Sequence, residues 1–472
     1  MSRSLCVISA MLSVVLNLAA LTSSTLADDI VITSRLHHLR QMEPREWSTF
    51  PEKAEASKLE LKFEAEAGVR ERCLSLRQQD VKESWTISLN GEPLGKLHIN
   101  EIDMRVYYEV GFDLVKDGEN TLTIECPKGR KPDDIRVGEI TLLDRTKRGL
   151  LLEATLEVTV TEPVILPVLD LPKADLDYVR KTESFKKSQT ERLKRMTLEQ
   201  RWLEVLRAGT AVLPVPCRIT ILNSDGSLQE CLAESERQVA FRPGTVYASN
   251  RPVRILVPAG DYRILVGRGF EYSLAEKQVS APAGSTQNLS FSIDREVDTE
   301  GWVACDTHVH TLTHSGHGDS TVQERMVTLA GEGIELPIAT DHNVFIDHRP
   351  FAKEAGVDRY FTPVIGNEVT TKVGHFNIFP VRPGAKLPDH KLTDWDAIAD
   401  SINQVDGVKA VILNHPRDIH SNVRPFGPAL FNDAVGESIN GWRFRANAME
   451  TANSSANQTD IMQLFRDWMV ML

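Results

Sequence analysis

Val303-Ala304-Cys305-Asp306-Thr307-His308-Val309-His310-Thr311 is the stretch that decides how this chain reads. A short apolar run ends in two histidines at i and i+2, and an extended strand end turns both imidazoles to one side. The same design recurs downstream. Leu336 to Thr340 leads into Asp341-His342, Thr362 to Ile365 into Glu368, and Ala410 to Leu413 into Asn414-His415. His375 opens the run His375 to Phe379, and a sixth run covers Ala446 to Met449. Helical segments fall between the runs. One starts at Thr321, with Ser320 and Gln323 as its expected capping box, and another has Thr393 with Asp396 in that role. Alternating strand and helix predicts a parallel, barrel-like sheet, whose strand ends gather at one mouth where catalytic groups collect.

Ten of the thirteen histidines lie from Gly301 onward, and their position at strand ends matters more than their number. Imidazole nitrogen and carboxylate oxygen are the ligands that zinc, manganese and iron take in hydrolytic sites. A carboxylate such as Glu368 can bridge two ions, which acidify a water and polarise the bond under attack. A lone His-x-His is usually incidental; the ordered set at successive strand ends is what predicts a metal site. Asp306 and Asp341, as neighbours of candidate ligands, are expected to orient imidazoles. Asp341 is on that ground a catalytic candidate, together with Arg417, which could contact an anionic substrate. His314, His348, His390 and His420 read as loop or surface residues.

With these motifs in view, Trp302 to the C-terminus resembles the PHP (polymerase and histidinol phosphatase) superfamily, closest to its carbamate-ester-hydrolase branch. The resemblance implies a distorted (β/α)7 barrel holding two or three divalent ions (Zn, Mn or Fe). It implies His308, His310 and Glu368 at a first metal, and Glu368, His375 and His415 at a second. A third would take His342 and His317, with Asp319 as the alternative to His317. The family's final Asp-x-His is absent, and the barrel is expected to be incomplete at the C-terminus, as in a truncated or fragmentary chain. Residues 460–472 read as an amphipathic helix with Ile461, Leu464, Phe465 and Trp468 on one face.

Upstream the grammar is different. Residues 28–163 carry short alternating runs and turn signals, such as Trp85 to Leu89 before Asn90-Gly91 and Thr121 to Ile124 after Asp117-Gly118. That spacing predicts a β-sandwich, loosely similar to jelly-roll, galactose-binding-like modules. Residues 164–212 read as a linker, Pro163 to Pro172, and a helix, Asp175 to Arg207. Residues 213–298 predict a second, small prealbumin-like sandwich, and residues 299–472 the metallohydrolase region. The expected architecture is therefore multidomain, two N-terminal β-sandwiches followed by the incomplete barrel.

Composition sets the outer limits. At 472 residues and 41% hydrophobic content the chain is globular and too long for one ordinary domain. A net charge of −12 argues against nucleic acid as a partner. Residues 1–27 read as a secretory signal peptide, with Arg3, an apolar stretch from Leu5 to Leu21, and Thr25-Leu26-Ala27 before the cut. That predicts a secreted or periplasmic protein with no stable membrane span after cleavage. Export permits disulfides, with Cys73–Cys126 and Cys217–Cys231 as possible pairs and Cys305 left over. The expected function is metal-dependent hydrolysis of a small-molecule phosphoester or a carboxyl or carbamate ester. The alternative is an exported carbohydrate- or surface-binding protein with an inactive hydrolase region.

Overall fold

Alternation of buried and exposed residues builds most of the computed structural model, which describes residues 29–43, 45–46, 49–126, 133–164, 211–233, 238–418, 423–451 and 462–472. The expected signal peptide, the helix Asp175 to Arg207, nearly all of its linker, and His420 lie outside the described residues. The chain opens with β1 (Ile30–Arg40), β2 (Lys58–Ala65), β3 (Arg72–Gln79), β4 (Thr86–Leu89), β5 (Glu92–Lys96), β6 (Met104–Val110), β7 (Gly118–Glu125) and β8 (Asp134–Leu143). In β7, Leu122 and Ile124 are buried while the intervening threonines are not, the period-2 signature of a strand covered on one face. Asn90 and Gly91 both take positive φ (52° and 88°) between β4 and β5, as a two-residue hairpin turn requires. The sheet β2-β7-β4-β5 packs on β1-β8-β3-β6 around Trp85, Leu74, Leu76, Met104 and Ile140.

After α1 (Lys147–Leu151) come β9 (Ala154–Val164), β10 (Ala211–Pro214), β11 (Cys217–Leu222), β12 (Leu228–Gln229), β13 (Leu232–Ala233), β14 (Val239–Arg242), β15 (Thr245–Ala248), β16 (Val253–Val257), β17 (Gly260–Gly267), β18 (Ala275–Ala281) and β19 (Thr286–Ser292). Sheet β10-β9-β16-β13, with β19 on β9, covers β11, β15 and β17 over a second core that includes Leu156, Ile219, Ile255 and Ile264. The two sandwich layers share a sheet. β12 pairs in parallel with β6, Leu228 against Met104 and Gln229 against Arg105. One ten-stranded sheet therefore runs through both layers, and Leu228 is packed in the first core.

The last region is built from β20 (Cys305–Val309), α2 (Leu312–Ser315), α3 (Val322–Gly331), β21 (Leu336–Ala339), α4 (Arg349–Glu354), β22 (Val364–Ile365), β23 (Asn367–Thr370), β24 (His375–Phe379), α5 (Trp395–Asn403), β25 (Ala410–Asn414), β26 (Phe431–Asn432), β27 (Glu437–Ser438), β28 (Ala448–Met449) and α6 (Gln463–Met471). It is a half-barrel and not a (β/α)7 barrel; of the described residues 43% are strand and only 12% helix. β20-β21-β22 form a parallel sheet, but β23-β24-β25-β28 is mixed, with β24 antiparallel to both neighbours. The physical reason lies in the link between β23 and β24. Thr371 to Gly374 is a tight turn, closed by the Thr371 amide and hydroxyl on the Gly374 carbonyl, and a turn that short forces antiparallel pairing where a crossover helix would allow parallel. The two sheets meet at a bridge between His342 and Glu368. Gly366 marks the bend: a Cβ there would stand 2.7 Å from the Ile338 side chain and 2.9 Å from the Ile378 carbonyl.

Helix starts are shifted from the expected caps. Thr321 and Glu324, not Ser320 and Gln323, form the capping box of α3, and Asp394, not Thr393, caps α5. In each helix the capping oxygen accepts the backbone N–H three residues on, that of Glu324 or Ala397. The possible disulfide pairs are not formed: Cys73, Cys217 and Cys231 are free and buried, and Cys305 is free and exposed.

Charges are buried in the first layer. Lys82 lies 2.7 Å from Asp80, 3.6 Å from Glu46 and 4.0 Å from Glu101. Burial raises the Asp80 carboxyl to about 6, with Glu46 and Glu101 adding to it and Lys82 opposing. Because its folded pKa lies above the unfolded value of 3.8, Asp80 loses stability for the fold as pH rises through about 6. Asp80→Asn, compared with the unaltered protein in urea denaturation at pH 4 and pH 8, should therefore gain about 2 kcal/mol in relative stability at the higher pH. A pH-independent difference would contradict this.

Candidate metal centre

Glu368 is the hub of the half-barrel mouth, and it is fully buried. β23 carries it to the seam with β21, where it meets His342 Nδ1 at 2.5 Å. His310 Nε2, His375 Nδ1 and His415 Nε2 each lie 3.3 Å from one of its oxygens, and His308 Nε2 lies at 3.6 Å. Burial alone would push this carboxyl up, but the surrounding imidazoles of His310, His342, His375 and His415 hold it well below the usual carboxylate range. Asn414 donates to Glu368 at 2.9 Å and to Asn377 at 2.9 Å, which fixes the carboxylate plane.

The structure brings together His308, His310, His317, His342, Glu368, His375 and His415. The grouping differs from the one that the family resemblance implies. Among the described residues, His308, Glu368 and His415 form one set able to hold an ion, and His310, His342 and Glu368 form another. His317 reaches the cluster through His342, Nε2 to Nε2 at 2.5 Å. Asp319 does not join it; Arg242 at 3.1 Å and Arg325 at 3.6 Å engage its carboxylate.

Three of the imidazoles have a partner behind them: Glu450 for His308, Ser315 for His310 and Thr370 for His342. Burial would lower the His308 pKa, but Glu450 and Glu368 outweigh it and raise it. Burial would likewise lower the His415 pKa, but Glu368 and Glu450 outweigh it and raise it. Desolvation lowers His310 and His317. Asp341 accepts from the Thr311 amide at 2.8 Å and the Ser315 hydroxyl at 2.6 Å. These donors and His348 outweigh burial and bring Asp341 down to about 2. Asp341 thus supports the cluster from behind. Asp306 does so through the backbone, accepting the His308 amide at 3.0 Å.

Two expectations are corrected. Arg417 is held in a two-point ion pair by Asp467 of α6 at 2.6 and 2.9 Å, so its guanidinium is committed to the C-terminal helix. His348, in a loop as expected, is not at the surface but 1% exposed, with Nε2 3.9 Å from Asp341.

Glu450 was missed. It follows β28, meets His308 Nδ1 at 2.5 Å and accepts the His415 backbone N–H at 2.6 Å. That second bond stabilises His415 at φ 28°, a conformation that few residues other than glycine adopt. The signal was present: an acidic residue directly after the sixth apolar run obeys the same strand-end rule as Glu368.

The donor set fits divalent cations. In the neutral ring, His308 Nδ1 against the Glu450 carboxylate carries the proton, and Nε2 keeps the lone pair that a cation would take. That nitrogen stands 3.0 Å from His310 Nε2 and 3.6 Å from Glu368. Buried lone pairs converging with a carboxylate call for a cation or for protons among them.

No known protein-family profile matches the chain. A protein of Acetivibrio thermocellus described as a probable phosphatase is 31% identical over 100 residues, which are 21% of this chain and 41% of that protein. The chain thus spans under half of that relative. Among solved structures, a Ruminococcus gnavus β-glucuronidase matches at 8% identity and TM-score 0.21, over 72% of each chain. A Faecalibacterium prausnitzii β-glucuronidase matches at 10% and 0.17, over 65% of this chain and 50% of that one. The minor pilin GBS52 of Streptococcus agalactiae matches at 9% and 0.19, over 56% and 97%. At such scores these likenesses carry no weight for fold or activity. Among the described residues no helix is long and apolar enough to cross a membrane.

Proposed function

We propose that this chain is a metal-dependent phosphoester hydrolase related to the PHP superfamily, exported by its N-terminal leader. One observation carries the reading: a fully buried carboxylate, Glu368, encircled by the imidazoles of His308, His310, His342, His375 and His415. The probable phosphatase similar over 100 residues favours phosphoester over carboxyl or carbamate ester.

His308, Glu368 and His415 would hold one ion, and His310, His342 and Glu368 a second, with His375 and His317 beside them. Ions held there supply Lewis acidity and bring the ionisation of water near neutral pH. The chain's own part is orientation. Glu450 keeps the His308 proton on Nδ1 and fixes the His415 backbone. Thr370 contacts His342 Nδ1 at 2.6 Å. Glu368, held ionised, presents an oxygen to each set.

Turnover of p-nitrophenyl phosphate and 1-naphthyl N-methylcarbamate tests the reading, with zinc, manganese or iron added back after chelation. The phosphate ester should be turned over, lose its rate on chelation and regain it with one of the ions. Absence of phosphate turnover with all three would overturn the proposal.

A second reading, a carbohydrate-binding protein, has one feature in its favour. Phe270 is fully exposed on a turn pinned where Gly269 abuts the Glu332 carbonyl, its φ being 63°. It borders a groove of about 390 Å³ lined also by Phe241, Tyr247 and Ile102.

A further inference from the structure

Ser315, at the end of α2, lies behind the His310–His342–Glu368 set and touches it at two points. Its Oγ is 2.6 Å from Asp341 Oδ1, 3.1 Å from His310 Nδ1 and 3.4 Å from the His342 backbone nitrogen. A hydroxyl has one hydrogen to give. Asp341 already accepts from the Thr311 amide and hydroxyl, so it meets Ser315 as an acceptor. At 2.6 Å the hydrogen between the two oxygens must come from Ser315. The contact with His310 can then be a hydrogen bond only if His310 Nδ1 carries the proton. It follows that His310 Nε2 is bare, and Nε2 is the atom that stands 3.3 Å from Glu368 and 3.0 Å from His308 Nε2.

We infer that Ser315 is a positioning residue that selects the Nδ1–H tautomer of His310, using Asp341 to fix the direction of its own hydroxyl, and so presents Nε2 to a divalent cation. This rests on the metal-centre reading above. The local fold supports the role. Thr311 caps α2 by accepting the His314 amide, and Gly316 ends it at φ 74°, so Ser315 sits on a single pinned turn between His310 and the loop of His317. The His342 N–H on the same oxygen ties both imidazole residues of the set to one hydroxyl. Position 315 therefore needs an acceptor that is also a donor. Alanine removes both functions, whereas threonine keeps them.

The test uses the full chain with ¹⁵N-labelled histidine. In the metal-free protein, His310 should show a protonated Nδ1 and an unprotonated Nε2, assigned by its loss in a His310→Gln sample. Ser315→Ala should abolish that preference and weaken zinc binding, measured by chelator competition, by about 10- to 100-fold. Ser315→Thr should restore affinity to within about threefold of the unaltered protein, a rescue that mere loss of packing would not give. Unchanged zinc affinity in Ser315→Ala, equal damage in both variants, or an Nε2–H tautomer in the unaltered protein would each overturn the role. Failure of the unaltered protein to bind zinc, manganese or iron overturns the metal-centre reading instead, and the tautomer measurement still decides on Ser315.

Discussion

Glu368→Ala is expected to reduce phosphoester turnover by at least about 10³-fold, roughly 4 kcal/mol of transition-state stabilisation, and to leave the purified protein without divalent metal. The effect should exceed that of any single histidine change, because Glu368 belongs to both ion-holding sets. His308→Ala removes a ligand from one set only. Glu368→Ala also leaves Asn414 without one of its two acceptors and opens a gap in a fully buried position. Metal content by plasma mass spectrometry, alongside turnover of p-nitrophenyl phosphate, measures both parts. Retention of activity within about tenfold, or of stoichiometric metal, would refute the hub role.

The second large effect concerns stability. Trp85→Ala should destabilise the fold by about 3–5 kcal/mol in urea denaturation. Trp85 is fully buried at the centre of the first core, and its indole donates to Asp133 at 2.7 Å. Asp133 is itself completely buried and is pushed up to about 7 by burial and by Glu46. Losing the indole leaves it with the backbone amides of Lys82 and Glu83 as donors. The cavity and the lost donor act in the same direction. The variant's remaining folded fraction should keep its metal, since none of the cluster residues touches this core. A loss below about 1 kcal/mol would mean that the layer repacks around the gap.

How much of this could be read beforehand depends on the range of the interaction. Turn chemistry at Asn90-Gly91 and the two-residue period of β7 are local, and they were legible. The cluster was legible too, because strand ends bring their next residues together whatever the sheet's closure. Its partition into sets was not. His308 and His310 are neighbours in sequence, but the bridge from His342 to Glu368 draws His310 to one side, and Glu450 draws His308 to the other. Barrel closure failed as an expectation for a similar reason. An apolar run such as His375 to Phe379 has the same pattern in a parallel or an antiparallel strand, and the direction was decided by the Thr371–Gly374 turn. The burial of His348 and the capture of Arg417 by Asp467 rest on contacts across 7 or more residues of chain, which residue patterns do not encode.

The parallel pairing of β12 with β6 has a consequence for dissection of the molecule. Two residues of one layer complete the edge of the other, and β9, reached directly after α1, is the central strand beneath the second layer. Cutting the chain between the layers would strand backbone donors and acceptors on both pieces, and each piece would present a raw sheet edge to its neighbours in solution. The two layers are therefore one cooperative unit, which should melt in a single transition and resist being handled as separable modules.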